Sequence, residues 1–559
     1  MTELECLAYG VEQVDEGVCL LLRLGPYRIM LDCGLADISS LTRKNMGKDS
    51  VPPADLVLCS HAHADHARGL LGLHRAFPQL PIYASEVTTQ LLPLNWSASG
   101  TKLPSRLCQA LPWRTPVEFL DGLSATLYPA GHLPGAAAIL LTYTAPASST
   151  EPARSYRVFY TGDFFLSNAR LVEGLPLEEL RGLAPDVLIV EGSYGTARHP
   201  HRRQQENQLA EWINRTIATK KSILLPTTSL GLAQELLMLL RSHHHFTGRD
   251  LDIWVDETVA AGCDAYLKIL PHLPPSVQNF ARHQPLFWDE RVRPRVRRLP
   301  PDRPLSLPAP CIVLADETLD LSQYYGPKPD GWLVLVPQQP HRTSPALMQI
   351  DDWVATKFSA SPSVDTYLLA QHCDGPGTTQ LIHNLRPQHV IFVHGSSTYL
   401  ADLTGLEELH NRYHLHSPAA GSLVELPIGE TFLQPAAPPE TNYEGELTEL
   451  DTVVTITLPN AITADPRWQH LADTGLIEAH WQGEELVLRG LPQRELLRQG
   501  SDRLLDWVDA NSPLRQCCAN CSHYRSQRCW NPASPLFEFK VTPDGFCPVF
   551  EPIQPQEQE

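Results

Sequence analysis

Short apolar runs recur along the chain, and each is followed directly by a polar residue. Runs of this length, separated by stretches with helical periodicity, predict buried strands in a layered α/β fold. Reactive groups placed just past strand ends line one edge of such a sheet. Taken singly, each of these residues could be a turn residue that ends a strand, but their joint occurrence predicts a shared site. They are Asp32, His132, Asp163, Glu191, His394 and the segment 59–66.

The segment Cys59–His66, which follows the largely apolar run Ala54–Leu58, is the densest of these polar stretches. Zinc prefers imidazole nitrogen and carboxylate oxygen, and catalytic zinc keeps one position open for water. The alternative is a histidine-rich surface loop, which is how we interpret His243–His245. The ligand candidates in the segment are His61, His63, Asp65 and His66.

Seven side chains could together hold two zinc ions, with a carboxylate bridging the pair. Two zinc ions this close lower the pKa of a shared water toward ~7 and hold the oxygens of a phosphorus or acyl centre. Asp32 is expected outside the ligand set, where it accepts the second N–H of a ligating imidazole. The first ion would take His61, His63 and His132, the second Asp65, His66 and His394, and the bridge is Asp163.

The composition is that of an ordinary globular protein, with 43% hydrophobic and 19% charged residues. A length of 559 residues allows two to four domains. With 44 basic and 63 acidic side chains, the formal net charge is −19. The overall field therefore does not favour nucleic acid, and any such binding requires a local basic patch.

The chain shows neither a secretory signal at its N-terminus nor an apolar run near the ~20 residues that span a bilayer. We therefore expect a cytoplasmic protein without a membrane partner. Most of the thirteen cysteines are isolated, and those in apolar surroundings predict reduced core thiols. These are Cys19, Cys59, Cys263 and Cys311.

The run from His61 to His66, with Asp32, His132 and Asp163 in order, resembles the metallo-β-lactamase-fold hydrolases. The resemblance implies an αββα sandwich, in which two mixed sheets are flanked by helices and a dinuclear site lies at one edge. It implies little about the substrate, because thioesters, lactones, phosphodiesters and redox substrates are all handled on this fold.

The 231 residues from Asp163 to His394 (394 − 163) are too many for the remainder of a simple sandwich. The intervening segment has its own alternation of strands and helices, which predicts an inserted α/β domain. The predicted elements are strands at 221–226, 251–255, 311–314 and 332–336, and a helix at 230–240.

Three segments around this insertion resemble motifs of the β-CASP branch, whose members include the pre-mRNA 3′-end cleavage endonuclease, RNase J and Artemis. Glu191–Thr196 is similar to the first motif, Leu369–Asp374 to the second and Pro387–Gly395 to the third. Leu230–Leu237 is also similar to the helix that opens the inserted domain. The resemblance covers roughly residues 1–430 and implies a nuclease in which His394 is the last zinc ligand.

Phosphodiester hydrolysis needs a nucleophile, stabilisation of phosphoryl charge and a proton for the departing oxygen. The resemblance places His372 near the scissile bond, and we expect it to donate that proton while Glu191 fixes its tautomer. Asp65 is expected to act in catalysis as a metal ligand. The alternative for His372 is a buried imidazole that is hydrogen-bonded within a turn.

The segment Val313–Asp320 departs from the β-CASP pattern, because it lacks the Gly-Met that lies against the nucleic acid. Its three carboxylates would repel phosphate, so either the phosphates take another route or the substrate is not a long nucleic acid. One route is an arginine stripe on one face of an extended segment, and a solvated edge strand is the alternative. The stripe is Arg291, Arg293, Arg295 and Arg297; weaker candidates are Arg198, Arg202 and Arg203.

The C-terminal region has a different composition. Residues 433–443 are predicted to be a linker, 444–510 a small α+β module and 511–559 a cysteine-rich segment. The module could bind a protein partner or form a homodimer. Four thiols in the last segment could hold one structural zinc or an iron–sulfur cluster, and free thiols are the alternative. They are Cys518, Cys521, Cys529 and Cys547.

The sequence thus predicts a zinc-dependent β-CASP-type ribonuclease that cuts single-stranded RNA endonucleolytically. The sandwich is expected at 1–195 and 361–432, with the inserted domain at 196–360. Two alternatives stay open. The protein could be a dinuclear-zinc hydrolase of a small ester or thioester with the inserted domain as a lid, or a non-catalytic subunit of an RNA-processing complex.

Overall fold

A computed structural model describes most of the first 429 residues and short pieces of the remainder. The chain divides into two units, residues 1–437 and 438–559, and each is described by itself. The predicted linker 433–443 and Cys547 lie outside the described residues. Those residues are 4–11, 16–42, 51–99, 104, 106–146, 154–300, 307–325, 329–339, 344–356, 362–429, 454–455, 477–482, 485–490, 518–532, 534, 541, 543 and 551–552.

The strands of the first unit form three sheets. They are β1 Leu4–Val11, β2 Val18–Leu24, β3 Tyr27–Leu31, β4 Leu56–Leu58, β5 Ile82–Ser85, β6 Gln109–Leu111, β7 Val117–Leu120, β8 Leu123–Pro129, β9 Ala137–Ala145, β10 Arg154–Tyr160, β11 Val187–Glu191, β12 Ser222–Thr227, β13 Asp252–Val255, β14 Arg295–Arg298, β15 Ile312–Asp316, β16 Trp332–Pro337, β17 Ser363–Tyr367, β18 His389–Val393, β19 His414–His416 and β20 Leu423–Glu425.

The helices lie between these strands. The α-helices are α1 Ser39–Thr42, α2 Ala64–Ala67, α3 Leu70–Ala76, α4 Glu86–Leu91, α5 Leu177–Leu180, α6 Arg202–Ala218, α7 Leu232–Ser242, α8 Glu257–Lys268, α9 Pro275–His283, α10 Ser322–Tyr325, α11 Pro345–Thr356, α12 Gly375–Leu385, α13 Ser397–Thr404 and α14 Glu407–His410. Short 3-10 helices cover Leu92–Ser99, Leu270–His272 and Pro329–Gly331.

Two seven-stranded mixed sheets form a sandwich. Their strand orders are β20-β1-β2-β3-β4-β5-β6 and β19-β18-β11-β10-β9-β8-β7. Side chains from both sheets share one buried apolar cluster, which includes Leu22, Leu58, Ile139 and Ile391. Residues on the opposite faces, such as Val190, join a second cluster with helical residues. Since each face buries apolar side chains, the layers confirm the predicted αββα arrangement.

The third sheet has six strands, all parallel, in the order β14-β13-β15-β12-β16-β17. It is inserted between β11 and β18. Leu224 and Val313 are buried on one face, while Ile223 and Leu314 are buried on the other. The apolar runs are continuous because a parallel sheet is covered on both faces. The sheet includes β17, so it runs past the boundary predicted at residue 360.

The described part of the second unit contains two small antiparallel sheets. Three strands, β21 Val454–Thr455, β22 Ile477–Gln482 and β23 Glu485–Gly490, form one of them. A 3-10 helix at Cys518–Asn520 precedes a two-stranded pair, β24 Tyr524–Arg525 and β25 Arg528–Cys529. Across the residues that the structure describes, no helix is both long and apolar enough to cross a membrane.

Candidate metal centre

Loops that follow strands of the sandwich bring the predicted ligands to one edge. The loop after β4 carries His61 and His63 into α2, and Asp163 and His394 follow β10 and β18. The loops after β4 and β10 touch at Gly162, where a Cβ would lie 2.7 Å from the Ser60 Cβ. Gly162 also has a φ of +55°, so a larger residue would be excluded on both counts.

Four ligand atoms converge at a first metal position. His63 Nδ1 lies 3.2 Å from His61 Nε2 and 3.0 Å from His132 Nε2. Asp163 Oδ2 lies 3.4 Å from His61 Nε2 and 3.6 Å from His132 Nε2. All four atoms are within 4.8 Å of one another, so three imidazoles and one carboxylate oxygen face a common point.

Three more ligands converge with the other oxygen of the Asp163 carboxylate at a second position. Asp163 Oδ1 lies 3.2 Å from His66 Nε2 and 3.7 Å from His394 Nε2. Asp65 Oδ2 lies 3.4 Å from His394 Nε2. Asp163 therefore stands between the two groups with one oxygen toward each.

The distances between ligand atoms fit a pair of divalent cations, and so do two buried polar atoms that lack a hydrogen-bond partner in the described part of the chain. Ligands at about 2.1 Å from a tetrahedral ion are roughly 3.4 Å apart, close to the distances observed. Among the described residues, His66 Nε2 and Asp163 Oδ1 are buried without a hydrogen-bond partner. Orphaned buried polar atoms are rare, and a cation would satisfy both.

Asp32 holds two of the ligating histidines from behind. Its carboxylate accepts the Nδ1–H of His66 at 2.8 Å and the Ser60 hydroxyl at 2.7 Å. The Ser60 oxygen also lies 3.0 Å from His61 Nδ1, so the Ser60 hydroxyl links the Asp32 carboxylate to the His61 imidazole through two hydrogen bonds. The Tyr160 hydroxyl also donates to Asp32, at 2.6 Å. With Nδ1 occupied, each imidazole presents Nε2 to the metal.

A second serine–carboxylate pair holds His394. His394 Nδ1 lies 2.8 Å from the Ser193 hydroxyl, which donates to Glu191. Glu191 also accepts the backbone N–H of Phe164 at 2.5 Å and His372 Nδ1 at 2.8 Å. Glu191 also lies within 4.8 Å of Asp163, His372 and His394 in a group that could hold a metal ion. Because hydrogen-bond donors occupy its carboxylate, we assign Glu191 to orienting the histidines.

Backbone carbonyls hold the remaining two histidines. His63 Nε2 lies 3.2 Å from the Leu230 carbonyl, and His132 Nδ1 lies 2.9 Å from the Gln371 carbonyl. Leu230 follows β12 of the third sheet, and Gln371 lies where the chain returns from that sheet. A carbonyl only accepts, so each imidazole donates to it and offers its other nitrogen to the cation.

Asp32 and His394 both adopt left-handed backbone conformations, with φ of 58° and 53°. Such conformations are unfavourable for residues other than glycine, at a cost on the order of 1–3 kcal/mol each. They sit at the ends of β3 and β18, where the turn aims the side chain at the site. Strain at these two positions indicates that the surrounding fold imposes the geometry.

The charges of the site favour binding of a cation. Burial strongly lowers the pKa of His61 and His132, so both are neutral ligands. Burial works against ionisation of Asp163, but the charges of His394 and His66 hold its pKa well below the usual range. Burial likewise works to lower the pKa of His394, while the Asp163 charge and the Asp65 hydrogen bond raise it to about 9. A bound cation replaces that proton.

His372 lies beside the two positions. Its ring centroid is 4.6 Å from that of His132 and 5.4 Å from that of His394. Burial works to lower the pKa of His372, but the charge and hydrogen bond of Glu191 raise it overall. Its side chain is 14% exposed, whereas Asp163 is 1% exposed, so His372 is the more accessible to a substrate.

Comparison with known proteins places this arrangement in a family. A model of the β-lactamase superfamily domain matches residues 27–224. The uncharacterized protein sll0514 of Synechocystis sp. is 50% identical over 558 residues, which cover 98% of this chain and 96% of that protein. The chain belongs to the metallo-β-lactamase superfamily.

Two more distant relatives carry functional names. Ribonuclease TTHA0252 of Thermus thermophilus is 29% identical over 264 residues, or 45% of this chain. Cleavage and polyadenylation specificity factor 73 of Drosophila melanogaster is 22% identical over 426 residues, or 69% of this chain. The matches span 58% and 59% of these two relatives. These two relatives and the inserted sheet are consistent with the β-CASP branch that the sequence motifs resemble.

The structure brings all seven predicted ligands together, with Asp32, Glu191 and His372 beside them. Sequence reasoning predicted Asp32 as an outer partner of a ligating imidazole but missed the two serines and the two backbone carbonyls. Ser60 directly precedes His61, and Ser193 lies within the first β-CASP motif, so adjacency to a ligand or motif was the available signal. The backbone carbonyls of Leu230 and Gln371 could not be found from the sequence, because every residue type has a backbone carbonyl.

The arginine stripe differs from its prediction. Regular strand structure begins only at Arg295, so the four arginines do not share one extended segment. Each is paired with a carboxylate: Arg291 with Asp289, Arg293 with Asp250, Arg295 with Asp250 and Asp252, and Arg297 with Asp252 and Glu290. These pairs neutralise the stripe locally and favour the alternative of an edge strand.

Of the weaker candidates, Arg202 is buried and bonded to Glu235 and to the Ala370 carbonyl, while Arg198 and Arg203 are exposed. The acidic segment also differs from expectation. Asp316 and Glu317 are buried, and Glu317 accepts hydrogen bonds from Ser344 and Gln339. Both carboxylates are hydrogen-bonded inside the domain, whereas the third, Asp320, is exposed.

Other candidate clusters are less complete. Cys518, Cys521 and Cys529 are buried and form no disulfide with another described cysteine, but they do not appear as a close ligand group among the described residues. His243–His245 do approach one another. However, His243 Nδ1 accepts the His245 backbone N–H at 3.3 Å, which occupies a lone pair that a metal would need. The core thiols Cys19, Cys59, Cys263 and Cys311 are buried and reduced.

Proposed function

We propose that the protein is a zinc-dependent endoribonuclease that cuts single-stranded RNA. The observation that carries the proposal is the convergence of seven metal ligands beside the His372–Glu191 pair. The name of the Thermus thermophilus relative, a ribonuclease, supports RNA as the substrate class. Imidazole-rich ligand sets with a bridging carboxylate suit zinc.

The ligands divide the work of holding two ions. His61, His63 and His132 hold the first ion, and Asp65, His66 and His394 hold the second, with Asp163 shared. When bound, such ions supply Lewis acidity for the phosphoryl oxygens and a nucleophile from water at neutral pH. Asp32 and Ser60 keep the imidazoles in the ligating tautomer.

The His372–Glu191 pair acts on the departing oxygen. Glu191 accepts the Nδ1–H of His372, so proton exchange with a substrate uses Nε2. Against the effect of burial, the charge and hydrogen bond of Glu191 raise the pKa of His372, which favours a protonated ring that can donate its proton as the P–O bond breaks. General acids of this kind contribute about 10²- to 10⁴-fold to the rate.

The proposal also includes the domain boundaries and the side from which RNA approaches. We assign residues 1–195 and 368–432 to the catalytic sandwich and 196–367 to the inserted domain, because β17 belongs to the third sheet. RNA reaches the metal ions from the side of Asp65, whose side chain is 26% exposed. A cytoplasmic location, a partner or dimer contact through 444–510 and a structural metal at the C-terminal cysteines remain predictions.

Cleavage of a circular single-stranded RNA by zinc-loaded full-length protein tests the proposal. Only an endonuclease opens a circle, and we expect linear products from the wild type. His63→Ala should abolish cleavage, and His372→Ala should slow it by about 10²- to 10⁴-fold. His244→Ala, which replaces an exposed histidine outside the site, is the matched control and should cut normally.

Two outcomes would contradict the proposal. Cleavage of linear but not circular RNA would replace the endonuclease with an exonuclease. Fully metal-loaded protein that cuts neither RNA nor DNA, yet hydrolyses small esters or thioesters, would favour the second function considered from the sequence.

A further inference from the structure

The inserted segment contributes to the metal site, although it supplies none of the seven ligands. We propose that Gln234 and Arg202 are positioning residues for the first metal position. They fix the two backbone turns whose carbonyls hold His63 and His132. The inference rests on the proposed pair of metal ions and goes beyond it, because it makes affinity at one position depend on the inserted domain.

Gln234 fixes the turn that holds His63. Its side-chain oxygen accepts the Gly231 backbone N–H at 2.8 Å, and its amide donates to the Ser229 carbonyl at 3.0 Å. The turn it closes contains the Leu230 carbonyl, which lies 3.2 Å from His63 Nε2. Gln234 is fully buried, so water does not replace these bonds.

Gly231 allows this turn to approach the histidine. Its φ is +91°, and a Cβ there would lie 3.5 Å from His63 Nε2 and 3.4 Å from the Gln371 side-chain nitrogen. A glycine is therefore favoured by the conformation, while both distances are ordinary van der Waals contacts. The two turns of the inserted segment meet at this point, directly behind the first metal position.

Arg202 and Gln205 fix the second turn from α6. Arg202 donates to the Ala370 carbonyl, and Gln205 accepts the Ala370 backbone N–H at 2.8 Å. The backbone N–H and C=O of Ala370 are thus both hydrogen-bonded to side chains of α6. The next carbonyl, of Gln371, lies 2.9 Å from His132 Nδ1. Arg202 is itself anchored by Glu235, at 3.4 Å, and Glu206, also at 3.4 Å.

The second metal position is held differently. His66 is oriented by Asp32 and His394 by Ser193, and both partners belong to loops of the sandwich. Loosening one of these two turns therefore changes the hydrogen bond that orients His63 or His132. The hydrogen bonds between Asp32 and His66 and between Ser193 and His394 are kept. The physical consequence is selective: one ion binds more weakly, and the other does not.

Metal competition on full-length protein tests this asymmetry. Gln234→Met preserves the volume and removes both hydrogen bonds, and Arg202→Lys disturbs the other turn independently. Each variant is equilibrated with chelator-buffered Zn²⁺, and bound metal is counted by mass spectrometry. We expect affinity for one ion to fall about 10- to 100-fold, the range for lost outer-shell partners, with the other unchanged.

Cobalt substitution identifies the weakened position, because the absorption lost in Gln234→Met should match that lost in His63→Ala. Gln234→Glu keeps the acceptor for the Gly231 N–H and should retain part of the affinity. Met238→Ala is the matched control: Met238 is buried in the same helix, so the variant should melt earlier but keep both affinities.

Unchanged affinity for both ions in Gln234→Met and Arg202→Lys would overturn the inference. Equal weakening of both ions would overturn it too, because it would indicate general loosening. A wild-type protein that binds fewer than two ions would contradict the proposed dinuclear site itself, together with the inference that rests on it. If Gln234→Met does not fold, Gln234→Glu and Arg202→Lys decide the question.

Discussion

At each metal-ligating histidine, one ring nitrogen faces a cation position and a fixed partner lies near the other. The partners are a carboxylate, two serine hydroxyls and two backbone carbonyls. Fixing the tautomer in advance removes an ordering step from metal binding and raises ligand basicity. The ligands follow from residue type and spacing, whereas the serines and carbonyls do not, since they are defined by three-dimensional proximity.

Asp32→Asn should weaken metal binding about 10- to 100-fold, because the amide lacks the negative charge of the carboxylate. In the wild type, Asp32 Oδ2 accepts from both His66 and the Ser60 hydroxyl, and Oδ1 accepts the Ser60 backbone N–H, which an amide NH2 in that place could not do. Competition with a chelator measures the change. Asp55→Asn is the control, since Asp55 pairs with Arg28 in the same region but contacts no ligand. Equal metal affinity in both variants would rule out the role given to Asp32.

Metal binding should release protons at pH 7. The pKa of His394 is raised to about 9, so the metal-free site holds a proton that the ion must displace. Burial works to lower the pKa of His66, but the charges of Asp163 and Asp32 raise it well above its usual range, so a second ligand also holds a proton. Apparent affinity should therefore rise with pH from 6 towards 9. Calorimetry in buffers of different ionisation enthalpy counts the released protons. An affinity independent of pH over this range would show that His394 is neutral before the ion arrives.

Among the elements, strands were the more predictable part of the fold. Apolar runs predicted β3, β10, β11 and β18, and the polar residue after each strand predicted its contribution to the site. The edge strand β14 was less predictable. Its arginines are neutralised by acidic residues from β13 and nearby turns, and a linear charge pattern contains no information about which strands become neighbours.

Salt dependence of RNA binding distinguishes a phosphate-binding stripe from an ion-paired edge. If Arg293 and Arg297 contact phosphates, replacing both with alanine should reduce the slope of log K against log salt by about 0.7 per arginine on single strands. Because both are paired with carboxylates, we expect the slope to stay unchanged. A lower slope would restore the stripe as part of the RNA site.

In the whole molecule, the site joins parts of the chain that are far apart. Ligands from residues 61–163 meet His394, and contacts from the inserted segment complete the surroundings. The order of motifs predicted that these distant ligands meet at one site. It could not predict that the orientation of His63 and His132 depends on contacts from the inserted segment. That prediction requires knowing how the third sheet packs against the sandwich.

Metal removal should therefore destabilise the first unit as a whole. A ligand that binds only the folded state adds about 2.7 kcal/mol at one hundred times its Kd. We expect added Zn²⁺ to raise the melting temperature and a chelator to lower it, by calorimetry. His63→Ala should show a smaller response. A melting temperature that changes with neither zinc nor the chelator would mean that bound ions do not stabilise the first unit.

Anomalous diffraction at the zinc absorption edge tests the central claim most directly. Crystals of the zinc-loaded protein should show two peaks, one among His61, His63 and His132 and one among Asp65, His66 and His394, with Asp163 between them. A single peak, or none at these side chains, would contradict the dinuclear centre on which the proposed ribonuclease depends.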